Sequence, residues 1–216
     1  MNAFLPVQAG SLLANRFLVK EPLGRAVYIA YDLSHGKTVV IKQAKASQLQ
    51  KEWQCLSMCH SPYIIKAGEL CSSASLLTLP YLDGQSLLSF SSDQAHLFLS
   101  LLPQLVRAID HVHQQGWIHG DIKPSNVMYL ANEHKIQLID FGSCLSIGTK
   151  YYDLDEWQLT PGFSTQDQLQ GNGHVLPSYD WFALKQWLSQ LDANCLSDPE
   201  LRLATQWSSW LQTKVK

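Results

Sequence analysis

Residues Trp117 to Leu130, WIHGDIKPSNVMYL, can form neither one continuous helix nor one continuous strand. Pro124 disfavours helical geometry at Lys123 and removes a backbone donor. Apolar residues Val127, Met128 and Leu130 follow at once, so Asp121, Lys123 and Asn126 form a polar cluster just ahead of a short strand. Closing a turn is the ordinary use of Asp, Ser and Asn in such a place. Chemistry at a strand end is the other use. A second stretch, IQLIDFGSC, bears on the choice: its Asp140 ends another apolar run, nineteen residues after Asp121. A hairpin of this length would bring Asp121, Asn126 and Asp140 together. Their oxygen atoms suit one or two Mg²⁺ ions held against a triphosphate.

The rest of the chain supplies a frame for that cluster. VYIAYD (residues 27–32) and KTVVIK (37–42) are β-branched and aromatic runs, and the LSHG between them is a good hairpin loop. SQLQKEWQCLSMC places Leu49, Trp53 and Leu56 at helical steps, and Pro62 bars continuation. LLTLPY reads as a further strand and LDGQS as a turn-rich join. Beyond it, Leu102, Leu105, Val106, Ile109 and Val112 mark a core helix, with Pro103 expected near its first turn and Gly116 as its stop. NVMYL and IQLID are short strands divided by ANEHK, and the Trp-rich tail from Tyr179 is helical again. The expectation is a β-rich small lobe, a short hinge and a helical larger lobe, with a cleft between them. Lys42 on a buried strand needs a partner there, and Glu52 on the next helix is the obvious carboxylate.

Composition narrows the function classes. With 46% apolar and 16% charged residues in 216, the chain reads as packed and globular, with room for two small lobes. A net charge of −2 without a basic block argues against nucleic acid or an anionic membrane as partner. The opening MNAFLPVQAG lacks the pattern of a secretory leader, and HLFLSLLPQLV is too short to span a bilayer, so a cytoplasmic location is expected. Five cysteines without a CxxC pair fit a reducing compartment. Cys55, Cys59 and His60 could be metal ligands at helical spacing. No second ligand pair stands at zinc-site spacing, which favours two small core residues instead.

HGDIKPSN, DFG and VVIK resemble the catalytic loop, metal loop and third-strand lysine of the eukaryotic-type serine/threonine protein kinase family. The likeness runs from about residue 15 to 213: Pro62 ten residues after Glu52, LPYLDGQSL as hinge with Leu79 as gatekeeper, LTPGFSTQDQL as the end of the activation segment, SYDWFALKQWL with a buried Asp180, and DPELRL with Arg202. It implies an α+β, two-lobed kinase-like fold forming one domain over residues 1–216. The small antiparallel lobe would cover about 12–82, with the single helix the family calls αC. A truncated, mainly helical lobe would cover 83–216. It also implies ATP with Mg²⁺ as cofactors and transfer to Ser/Thr hydroxyls of a protein substrate. Asp121 would orient or accept the hydroxyl proton, Lys123 would neutralise the phosphoryl group, and Thr160 would hydrogen-bond both. Asn126 and Asp140 would hold the metal. Lys42, steadied by Glu52, would contact the phosphates, and Leu23, Val27, Val40, Leu79, Tyr81 and Met128 would line the nucleotide site. Phe141, His119 and Leu56 would stack in the column that fixes the metal loop.

The chain departs from that pattern in four places. The glycine-rich loop is reduced to LGRAVY, which implies either weaker nucleotide closure, with Arg25 compensating, or a lobe that no longer binds nucleotide; a nucleotide-binding pseudokinase that works as a scaffold is a further alternative. Gly120 stands where many members have an arginine. Phosphorylation at Ser146, Thr149, Tyr151 or Tyr152 would then meet no built-in cation, so activity independent of it is expected. Asp167 stands where the family has a glutamate one methylene longer and Gln166 where it has a proline, yet Asp167 and Arg202 would still pair in the interior of the larger lobe. Only twenty-two residues separate Asp180 from Arg202, so the family's G and H helices are missing or reduced. Trp181, Trp187, Trp207 and Trp210 would cover the surface so exposed, and an exposed pair would mark a site for an activating partner or a second copy. HGD…N…IDF also resembles the small-molecule phosphotransferases that act on aminoglycosides and choline. Lys123, Thr160 and the Asp167–Arg202 pair favour a protein substrate.

Overall fold

The computed structural model describes residues 7–154 and 157–215. The first six residues of the segment read for a leader lie outside the described residues. No helix among the described residues is long and apolar enough to cross a membrane. The described chain forms two compact units, one running to His60 and resuming over Ile65–Asp83, the other combining Ser61–Ile64 with the chain from Gly84 onward.

The first unit is an antiparallel sheet of β1 (Leu12–Leu13), β2 (Phe17–Gly24), β3 (Val27–Asp32), β4 (Lys37–Gln43), β5 (Leu70–Cys71) and β6 (Leu76–Pro80), in the order β1-β2-β3-β4-β6-β5. Alternation decides its faces: Val39 and Ile41 of β4 are buried with Phe17, Ala30 and Leu76, while Val40 and Lys42 point the other way. Helix α1 (Ala46–Met58) buries Leu49, Cys55 and Leu56 and stops four residues before Pro62. Each fully buried leucine contributes about 1.5–3 kcal/mol. Cys55 and Cys59 are both buried, as core residues are. Arg16 clasps Asp32 with two hydrogen bonds of 2.8 and 2.9 Å and reaches Glu69 at 2.7 Å, tying the LSHG loop to the far strand. The guanidinium, with help from His35, holds the buried Asp32 carboxyl well below the usual carboxylate range.

In the second unit, β7 (Gln85–Ser86) pairs with β9 (Val127–Leu130), which pairs with β10 (Lys135–Leu138). The join expected as a turn thus carries a short strand. Helix α2 (Ala95–Gln114) begins well before the expected start, so Pro103 lies inside it and not in its first turn. A capping box of Ser91 and Gln94 in the preceding 3-10 turn nucleates the earlier start. The ring sits on the exposed side of the helix, where losing the N–H that would meet the Leu99 carbonyl disturbs no packing. Gly116, at φ +83°, ends the helix as expected. Strands β8 (Trp117–Ile118) and β11 (Leu145–Ser146) form a separate pair.

Helices α3 (Gln166–Gln170), α4 (Ser178–Ser189) and α5 (Asp198–Lys214) complete the unit, and only a 3-10 turn at Ala193–Cys195 lies between α4 and α5. Trp181 and Trp187 are buried, Trp187 stacking on Phe98 at 4.5 Å; Trp207 and Trp210 are half-buried and meet edge to face. One expectation fails here: Asp167 and Arg202 are both exposed, with no ion pair joining them. Asp167 lies in the first turn of α3, where its charge favours the helix N-terminus, and Arg202 falls on the solvent face of α5. Arg202→Ala should therefore change stability by no more than about 0.5 kcal/mol in urea denaturation. A loss of about 3 kcal/mol or more would restore the buried pair.

Candidate active site

The first unit presents its polar pair on one sheet face. Register sets Val27 opposite Lys42, and Val40 opposite both Ile29 and Leu79, so Val27, Val40, Lys42 and Leu79 share that face. Lys42 Nζ lies 2.7 Å from Glu52 Oε2 and 3.0 Å from Oε1. Glu52 is buried, and a carboxylate taken out of water requires such a partner. Leu23 and Tyr81 are exposed at 54% and 45%. The turn before β3 holds only Arg25 and Ala26, because Gly24 pairs directly with Val27. Ala26 takes a left-handed φ of +62°, and its carbonyl accepts from Gln43 N–H at 2.8 Å.

The second unit assembles a denser cluster. The chain from Asp121 to Asn126 is extended at Lys123 and closes in a 3-10 turn at Pro124–Asn126, as the proline dictates. Asp121 Oδ1 accepts from the Thr160 hydroxyl at 2.6 Å, while Oδ2 faces Lys123 Nζ at 2.7 Å and the Asn126 amide at 2.9 Å. Lys123 Nζ also donates to Thr160 Oγ1 at 3.0 Å. One carboxylate is thus oriented by a hydroxyl, a cation and an amide that belong to three separate side chains. The same Asn126 amide donates to the Asp121 carbonyl at 2.8 Å, which leaves its oxygen as the acceptor end. Asn126 and the residue before Asp140 are tied by Ile139 N–H to Asn126 carbonyl at 2.9 Å. Asp140 is exposed, with a left-handed φ of +59°, and its carboxylate accepts from Gly142 N–H. Met128 is half-buried on β9. His119 meets Phe141 edge-on at 4.7 Å, and its Nε2 stands 3.0 Å from the Ile139 carbonyl.

Beneath this loop, Asp180 of α4 is 1% exposed and accepts from the backbone N–H of His119 at 2.8 Å, from that of Gly120 at 2.9 Å and from His113 Nε2 at 2.9 Å. Burial would raise its carboxyl, but the hydrogen bond and charge of His113 and the Gly120 N–H hold it below the ordinary value. His113, on the last turn of α2, carried no signal in the sequence. Gly120 is required where it stands: φ is +80°, and a Cβ there would come within 2.5 Å of the Ser143 carbonyl oxygen.

A family model of the protein kinase domain matches residues 24–194. The chain belongs to the protein kinase family. Among curated relatives, it is 41% identical over 88 residues to human serine/threonine-protein kinase MRCK gamma, covering 38% of this chain and 6% of that protein. It is 32% identical over 120 residues to serine/threonine-protein kinase YabT of Bacillus subtilis, which is 52% of this chain and 32% of the relative. Mouse serine/threonine-protein kinase greatwall is 30% identical over 211 residues, 85% of this chain and 24% of the relative. The chain therefore spans no more than about a third of the length of these relatives.

The donor set fits the metal a kinase uses. Mg²⁺ takes oxygen ligands, with one or two protein groups completed by phosphates and water. Asn126 and Asp140 supply such oxygens, and among the described residues no cluster of three or more His, Cys, Asp or Glu offers a competing site.

Proposed function

We propose that the chain is a protein serine/threonine kinase that transfers the terminal phosphoryl group of ATP with Mg²⁺. The observation that carries this reading is the Asp121 carboxylate held by Thr160, Lys123 and Asn126. In the reaction, the substrate Ser or Thr oxygen forms a bond to the γ-phosphorus, the bond to the bridging oxygen of ADP breaks, and the hydroxyl proton passes toward Asp121. Lys123 balances charge on the transferring group, and Lys42, fixed by Glu52, meets the α- and β-phosphates. Bound Mg²⁺ at Asn126 and Asp140 would neutralise phosphate charge. Val27, Val40, Leu79 and Met128, with Leu23 and Tyr81, would line the nucleotide site. The short Arg25–Ala26 turn offers few backbone N–H groups to phosphate, so the ATP KM should lie nearer 1 mM than 1 µM, the usual extremes being about these.

Of three features that set a protein substrate above a small molecule, Lys123 and Thr160 remain once the Asp167–Arg202 pair is removed. Incubation with γ-labelled ATP, Mg²⁺ and a mixture of proteins, aminoglycosides and choline should place label on Ser or Thr of protein, and EDTA should abolish it. Label confined to a small molecule, or nucleotide binding without any transfer, would overturn the proposal. Phosphatase treatment of freshly purified chain should leave turnover within about twofold, because Gly120 supplies no cation to a phosphorylated segment.

A further inference from the structure

We infer that Tyr151 is a positioning residue, an apolar bolt that holds the segment around it in the arrangement in which Thr160 and the catalytic loop meet. The inference rests on the kinase reading above. Tyr151 lies in the stretch where phosphorylation orders other kinases, yet it is fully buried, among Ile118, Leu145, Val175 and Tyr179. It is therefore out of reach as a phosphate acceptor, which corrects its place among the candidates named from sequence. Its phenol oxygen lies toward Gln168 without a well-aligned hydrogen bond, so the ring and not the hydroxyl accounts for its position.

Both sides of the stretch are stitched by backbone. Leu145 and Ser146 pair with Ile118 and Trp117, and Ile147 N–H donates to the Gly116 carbonyl at 2.9 Å. Gly148 and Tyr151 donate to the Val175 and Gly173 carbonyls at 2.9 and 3.1 Å, and Val175 returns a bond to Thr149 at 2.8 Å. From the Tyr151 ring, two contacts lead to the catalytic loop. One is to Trp157, centroids 5.5 Å apart, three residues before Thr160. Trp157 is itself seated by a 3.2 Å hydrogen bond to the Gln168 carbonyl and by Gly171, where a Cβ would lie 2.7 Å from the indole. The other is to Tyr179 at 6.0 Å, the neighbour of Asp180, which grips His119 and Gly120. The ring thus sits between the two supports of Asp121. With Gly120 in the place of a cation, burial of an aromatic ring does the ordering that a phosphate–arginine pair would otherwise do.

The test uses the full chain with Tyr151→Phe, Tyr151→Leu and Trp157→Leu, assayed for kcat, ATP KM and backbone amide exchange. Tyr151→Phe should keep kcat and KM within about twofold, since the ring remains. Tyr151→Leu should lower kcat at least tenfold while ATP KM moves less than threefold, and amides of Gly148, Val175, His119 and Gly120 should exchange at least tenfold faster. Trp157 is only half-buried, so Trp157→Leu gives the same pattern a second reading should Tyr151→Leu fail to fold. The inference falls if Tyr151→Phe loses as much turnover as the leucine variant. It falls equally if the leucine variants keep kcat within twofold, or if their exchange is unchanged. A wild-type chain that transfers no phosphate would overturn the kinase reading alone. The exchange experiment would still decide for or against the bolt.

Discussion

Asp121→Asn should cut phosphoryl transfer by about 10²–10⁴-fold while nucleotide affinity stays near wild type. The amide matches the carboxylate in shape but not in what it can accept. Asp121 receives Thr160 on one oxygen and both Lys123 and Asn126 on the other. An asparagine would turn its single oxygen to Lys123 and Asn126 and offer its NH₂ to Thr160, whose hydroxyl can also accept. The fold should tolerate this at a cost of about 1–2 kcal/mol, because hydrogen bonds to a charged group are exchanged for neutral ones. The proton of the incoming hydroxyl, however, loses its acceptor. Single-turnover kinetics with melting and nucleotide titration side by side would separate the effects. Residual activity above one tenth of wild type would remove Asp121 from the chemistry.

Asp180→Ala should be the most destabilising single change, by about 3–5 kcal/mol at pH 7, since it strands two backbone N–H groups and a histidine that now share one buried carboxylate. The penalty should depend on pH in a definite direction. The folded pKa of Asp180 lies below its unfolded value, so the carboxylate contributes stability above the ordinary value of about 4. That contribution is lost as pH falls below it toward the folded pKa. The gap between wild type and Asp180→Ala in urea unfolding should therefore narrow between pH 5 and pH 3, as about one to two units around that value must be crossed. A constant gap across that range would mean that the carboxylate is not the origin of the effect.

Much of this molecule was legible in its sequence for local reasons. VYIAYD-LSHG-KTVVIK reads as a hairpin because alternation and loop chemistry agree, and the register pairs Val27 with Lys42 accordingly. The Thr160 contact to Asp121 and Lys123 followed from the family pattern, and the hydrogen bonds stand at 2.6 and 3.0 Å. The failures were of two physical kinds. The apolar series alone puts Pro103 near a first turn, where proline is tolerated, whereas the Ser91–Gln94 capping box sets the start of the helix and the exposed face absorbs the ring. The family pattern pairs Asp167 with Arg202, but a carboxylate at a helix start and a guanidinium on a solvent face have no desolvation to offset by meeting. Other features have no local signature at all. The burial of Tyr151 depends on Val175 and Tyr179, more than twenty residues away, and while the family pattern marks Asp180 as buried, nothing local marks His113 of α2 as its partner.

The close approach at Gly120 bears on how such a chain can change over generations. A side chain there would collide with the carbonyl oxygen of Ser143 from a backbone conformation that L-residues rarely adopt. An arginine at this position is thus closed off as a one-step mutation, and with it the simplest route by which the chain could come under the control of phosphorylation. Any lineage that acquired such control would first have to reshape the backbone at residues 142–144, or place the switch in a different protein.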